Sequence, residues 1–205
     1  ADFATNYPQH ELAGQAQYMA ALTSLEVGQH ATSKALSDRF LSTFSNHKLT
    51  PDVQFIAAEC RLLSEEYAEA EKRYVQFLKN APRHESAEQA RVRLGLTLQL
   101  QDKHSEVIAF LRPVASTLKS AELRSEAHYL IGRSHLEKKN FDNAAKSLEQ
   151  SLRSKPDRAQ SDETMLALVR AYQQSGRQDD AKKQLAAIID KYPNSKRLDE
   201  ALYRL

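Results

Sequence analysis

The chain has 205 residues, 41% hydrophobic and 27% charged, and its 29 basic and 27 acidic side chains leave a formal net charge of +2. The two signs are interspersed, which excludes the concentrated cationic face of a nucleic-acid binder, and no apolar run reaches the roughly 18 residues needed to cross a bilayer. A lone cysteine, Cys60, excludes an internal disulfide, and five Gly, six Pro and frequent Ala, Leu, Glu, Lys, Arg and Gln predict an all-α fold.

Taken in chain order, the elements recur every 37 residues. Steps of 37 from Pro8 land on Ser45, Pro82, Lys119, Pro156 and Pro193, so four of the six positions are proline. The period divides the chain into 1–13, the end of a preceding repeat; 14–50, a degraded repeat with Ser24, Ser33 and Ser37 where apolar residues are expected; 51–87; 88–124; 125–161; 162–198; and 199–205, the start of a further helix. Both ends fall inside a repeat, so one continuous solenoid cut from a longer protein is expected. Leu202, Tyr203 and Leu205 would then be bare, offering a homodimer contact.

Within each repeat two stretches of apolar residues at helical spacing are separated by turn-formers: Gly28, Asp102-Lys103, Asn140 and Ser175-Gly176. Each repeat is therefore expected to be an antiparallel helix hairpin. The eighth position reads Ala21, Ala58, Gly95, Gly132 and Val169, small in four of five repeats, where helices can approach closely. Helix starts are expected at Thr50-Pro51 and, with capping-box spacing, at Ser86 to Gln89. Pro113 falls inside the second helix of 88–124 and should kink or split it near Leu111.

These residues resemble the tetratricopeptide repeat (TPR) family. Leu168, Tyr172, Gly176, Ala181, Leu185 and Pro193 fall on its signature positions, as do Ile131, Gly132, Phe141, Ala144, Leu148 and Pro156 one repeat earlier. The family's early Trp is absent throughout. Tyr192-Pro193-Asn194-Ser195 and Tyr7-Pro8 further resemble bacterial envelope repeat proteins, namely outer-membrane assembly lipoproteins and the Tol-Pal-associated periplasmic coordinator. The resemblance implies a right-handed superhelical solenoid of helix hairpins with a concave face lined by first helices. It also implies a protein or peptide ligand, and a setting in the bacterial periplasm or cell envelope, with the cytoplasm left open.

On that implied face the fifth position of each repeat reads Tyr18, Phe55, Val92, Tyr129, Leu166 and Tyr203, a ladder of mostly large groups that either lines the groove or turns into the core. The ninth position places Arg133 and Arg170 in adjacent repeats, with Arg204 near them. Two guanidinium groups suit a bridging carboxylate, unless Glu126, Glu137, Glu163 or Glu200 already neutralises them. Catalytic motifs, phosphate loops and metal-ligand spacing are missing; His128 and His135, seven residues apart, have no Cys or carboxylate set around them. No cofactor or metal is expected, and Cys60 reads as a packed thiol. The leading reading is a non-catalytic interaction scaffold with a role in envelope assembly. The alternative is the recognition or oligomerisation arm of a larger enzyme.

Overall fold

A computed structural model describes residues 2–157 and 160–193, together with Asp199 and Tyr203. Leu202, Arg204, Leu205, Glu200, Asn194 and Ser195 lie outside the described residues. The chain divides into two units, Ala1–Gln101 and Asp102–Leu205. Among the described residues all regular structure is helical.

The first unit holds α1 (Asp2–Asn6), α2 (Ala13–Glu26), α3 (His30–Thr43), α4 (Thr50–Leu63), α5 (Tyr67–Asn80) and α6 (Ala87–Gln99). Its largest buried side chains are Phe40, Tyr74 and Phe77, all from second helices of hairpins. Around them polar side chains are buried too, among them Gln17, Ser33, Ser37 and the charged residues Glu59 and Arg61. Each of these except Ser37 is bonded: the Gln17 amide donates to Leu36 O, the Ser33 hydroxyl to Ala21 O, and Arg61 donates to both oxygens of Asp38 at 2.9 and 2.7 Å. Tyr74 donates its hydroxyl to the Glu59 carboxylate, and burial, followed by that carboxylate, pushes the phenol well above its ordinary range. Unbonded, such groups would each cost about 1–3 kcal/mol to bury.

The second unit holds α7 (His104–Leu111), a 3-10 turn (Ala115–Thr117), α8 (Ala121–Glu137), α9 (Phe141–Ser154), α10 (Ser161–Gln174) and α11 (Gln178–Lys191). Its main cluster is largely aliphatic, with Leu136, Leu148, Met165, Leu168, Val169, Leu185 and Ile188 around Ala144, Ala145, Ala181 and Tyr172. The polar side chains buried in this unit are the His128 imidazole and small hydroxyls such as Ser125, Ser151 and Thr164. Gly132 sets the spacing of α8 and α9. A Cβ there would stand 2.6 Å from Leu148 Cγ, so glycine at 132 is a steric requirement.

Every hairpin turns through one left-handed residue, and these too are 37 apart: Gly28 (φ 77°), Glu65 (60°), Asp102 (57°), Lys139 (56°) and Gly176 (78°). The next residue's N–H closes the turn onto a carbonyl five residues back, as from Gln29 to Ser24, Glu66 to Arg61, Asn140 to His135 and Arg177 to Tyr172. This is the 6→1 bond that satisfies a helix's last carbonyls. The expected turn residues are thus right at Gly28, Asp102 and Gly176. In the fourth hairpin Lys139 rather than Asn140 takes the strained position.

The helix starts differ from expectation. Thr50 caps no amide; its hydroxyl donates backwards to Phe44 O and Ser45 O, and Leu49 is the N-cap. Ser86 is an N-cap without a side-chain cap bond, so no capping box forms. Ser120 does cap through its side chain, accepting from Leu123 N–H at 3.3 Å. Pro113 acts as expected: α7 stops at Leu111 after eight residues, where α3, α5, α9 and α11 run for fourteen.

Candidate functional site

The fifth-position ladder does not share one environment. In the first unit Val92 is 1% exposed and belongs to the core, and Phe55 is half-buried against Tyr74 and Phe77, with ring centroids at 6.3 and 5.7 Å. Tyr18 is half-buried beside the small cluster of Ala21, Ile56 and Cys60. Burial, followed by the nearby Asp52 carboxylate, raises its phenol. In the second unit Leu166 packs into the aliphatic core, Tyr129 is half-buried against it, and Tyr203 is exposed. The ladder is therefore buried at Val92 and Leu166 and half-buried at Tyr18, Phe55 and Tyr129.

The two arginines are on α8 and α10. Arg133 donates to the Tyr129 hydroxyl at 2.9 Å and to Glu163 at 3.4 Å, its guanidinium 5.8 Å from the Tyr129 ring centre. Arg170 stands 3.9 Å from Glu137, both exposed. Two of the four carboxylates that sequence offers as neutralisers thus pair with the arginines. Arg170 is the looser of the two, as exposed pairs of that length hold little energy.

A second surface lies in the first unit, between α4 and α6, and was not singled out by sequence. Leu62, Leu63, Leu96 and Leu100 line a shallow groove of about 310 Å³, with Glu59, Glu65 and Arg93 around it. Leu63 is 51% exposed and Leu100 45%, which is high for leucine in a helical array. They are one period apart. Their signal in the sequence is a leucine at the same register of two successive repeats, outside the fifth and ninth positions.

The loops of the first unit carry another repeated device. His10, His47 and His84 are 37 apart, and so are Phe3, Phe40 and Phe77. Each imidazole stands edge-on to its phenylalanine, with centroids at 5.2, 5.6 and 5.5 Å. Each Nδ1 accepts the backbone N–H two residues on, from Leu12, Leu49 and Ser86, at 3.1–3.2 Å. The histidines thereby satisfy the amide of the N-cap residue at each of these helix starts, one step before the helix's own free amides. Gly14 makes room for one of them, since a Cβ there would meet the His47 ring at 3.0 Å.

Cys60 is fully buried and its thiol donates to Ser33 Oγ at 3.1 Å; burial pushes it up, keeping it protonated. Among the described residues no three His, Cys, Asp or Glu side chains group as metal ligands, and no helix is long and apolar enough to cross a membrane.

Residues 135–205 match the family model for the tetratricopeptide repeat. No curated protein matches the chain. Among solved structures it is similar to MamA 41-end from Desulfovibrio magneticus RS-1 (13% identity, 89% of this chain and 97% of that one, TM-score 0.75). It is also similar to another MamA crystal structure (15%, 96% and 98%, 0.74) and to YrrB, described as a TPR protein with an unusual peptide-binding site (16%, 99% and 97%, 0.74). The fold is thus the all-α TPR type over nearly the whole chain.

Proposed function

We propose that this protein is a non-catalytic interaction scaffold that holds an extended peptide or partner-protein segment against the exposed faces of its first helices. The observation that carries the reading is the leucine groove of the first unit, where Leu63 and Leu100 stay solvent-exposed one period apart. Regularly spaced apolar anchors with charge at their margin suit a chain that offers an apolar side chain at intervals. In the second unit Tyr129, Arg133 and Arg170 form a separate polar and aromatic face suited to a partner carboxylate, with Arg170 able to exchange its exposed pair with Glu137. The peptide-binding site named for YrrB supports the reading by analogy of fold. A role in bacterial cell-envelope assembly is its finer form.

The test is selection of binders from a displayed peptide library, followed by calorimetry on the selected sequence. Leu63→Glu with Leu100→Glu should weaken binding at least about tenfold, as loss of an interface anchor does, while helix content stays unchanged. Arg133→Ala with Arg170→Ala should weaken it a few-fold. Equal affinity of parent and folded leucine variant would overturn the groove as the site.

A further inference from the structure

The break at Pro113 uncovers part of α8. In α3, α5, α9 and α11 the second helix continues for fourteen residues, but α7 ends at Leu111. The chain then passes through Arg112 and the 3-10 turn, leaving a cleft of about 270 Å³ beside α8 and α9. Arg112 reaches it from the break, His128 and His135 from positions about two turns apart on α8, and Lys146, Asn143 and Gln150 from α9. It adjoins a second hollow that shares Ser116, His128 and Gln150 and adds Arg124 and Arg153. No carboxylate lines either one. Arg124 is held by the carbonyls of Leu118 and Lys119, at 2.6 and 2.8 Å, so its charge is not neutralised by that contact. The Nδ1 of His135 is buried and has no hydrogen-bond partner.

We propose that this cleft is a binding site for a dianionic oxyanion of the phosphate-monoester type. Two fixed cations, Arg112 and Lys146, face it from different walls, which matches a double negative charge better than a single carboxylate. The amides of Asn143 and Gln150 and the two imidazoles supply further donors to a group with several acceptor oxygens. The volume admits the anion with part of the molecule that carries it. The same chemistry is offered by a small phosphate ester or by a phosphorylated side chain of a bound peptide.

The histidines give the site a pH dependence. Burial, followed by Arg124, lowers His128, and burial, followed by Arg112 and Lys138, lowers His135. The charged groups facing them are Arg112 from the break, Arg124 and Lys138 from α8 and its end, and Lys146 and Arg153 from α9, all cationic. A dianion reverses that field and favours the imidazolium forms, so binding takes up protons and strengthens as pH falls.

Inorganic sulfate is the first probe, because it stays dianionic between pH 8 and pH 6 and any change in affinity must come from the protein. Titration followed by amide NMR should give saturable shifts confined to the turns around Arg112, His135 and Lys146, with affinity rising several-fold on going from pH 8 to pH 6. Arg112→Gln with Lys146→Gln changes two exposed side chains, so it should keep the fold and weaken sulfate binding at least tenfold. Phosphoserine and a phosphoserine peptide, each against its unphosphorylated form, then separate a small ester from a partner's side chain. Shifts that scatter over the surface without saturating would mean an adventitious ion only and would overturn the site. So would an unweakened double variant, and an affinity flat with pH would overturn the histidines' part in it.

Discussion

The two units use one hairpin period but stabilise it differently. The first buries two charged side chains, Glu59 and Arg61, with the Gln17 amide, and seats a histidine on a phenylalanine in the loop before each of α2, α4 and α6. The second packs a mainly aliphatic core, buries hydroxyls and the His128 imidazole where the first buries charge, and starts α8 with a serine cap. Their outer faces also differ. Leu63 and Leu100 in the first correspond by period to Glu137 and Gln174 in the second, where Arg170 pairs with Glu137. A repeat therefore dictates backbone and spacing, and leaves each unit free to choose its core chemistry and the partner its surface suits.

The largest effect that would break this comparison is loss of a ring that serves both core and loop. Phe40 is fully buried and stands against both Phe44 and His47. Phe40→Ala should cost about 3–5 kcal/mol, and hydrogen exchange should show protection lost in α2 to α4 while α8 to α11 keep theirs. Protection lost equally in both would mean that the units do not open separately.

Next come the two glycines that admit neighbours. At Gly132 the obstacle is Leu148, a fully buried side chain, at 2.6 Å; at Gly14 it is the half-buried His47 ring, at 3.0 Å. Gly132→Ala should therefore destabilise its unit by about 1–3 kcal/mol through overpacking, and Gly14→Ala by less, because the imidazole can give way. Urea denaturation of the two variants, compared for midpoint, checks the order; a larger loss at Gly14 would show that the loop histidine is held more rigidly than the core leucine.

The loop histidines themselves should rank third. His47→Ala removes the acceptor for Leu49 N–H and the ring contact with Phe40, for an expected loss of about 1–2 kcal/mol. His47→Asn should recover part of it, since an asparagine oxygen accepts from the backbone two residues on in the same way. Thermal melts of both would show whether the bond or the ring matters more.

Much of this was legible in the sequence, and what was not has a physical cause. The hairpins, the Pro113 break and the close approach at Gly132 follow from steric rules that a 37-residue step exposes, because proline and glycine are read directly by the backbone. The histidines of the first unit have the same period, yet their role depends on a ring edge and an Nδ1 lone pair meeting a particular amide, which residue type alone does not announce. Similarly, Thr50 and Ser86 carry capping chemistry but spend it elsewhere or not at all, since the adjacent histidines satisfy nearby loop amides. The fifth-position ladder split because burial at Val92 and Leu166, against half-burial at Tyr18, Phe55 and Tyr129, depends on what packs against each position, which a common register does not express.

The smallest effect tests what the two units share. Glu65 in the first and Lys139 in the second occupy the left-handed turn position that Gly28 and Gly176 fill elsewhere, and both side chains are exposed. A non-glycine residue there carries a penalty of about 1–2 kcal/mol, part of which glycine returns as greater freedom of the unfolded chain. Glu65→Gly and Lys139→Gly should each stabilise by about 0.5 kcal/mol, measured as a shift of the urea midpoint at constant slope. Because the closing bonds, Glu66 N–H to Arg61 O and Asn140 N–H to His135 O, have the same 2.9 Å length, the two gains should be equal. An unequal pair would mean that the turn, like the loops and the core, has been adapted unit by unit; an equal pair makes the left-handed turn the one device the repeat cannot vary.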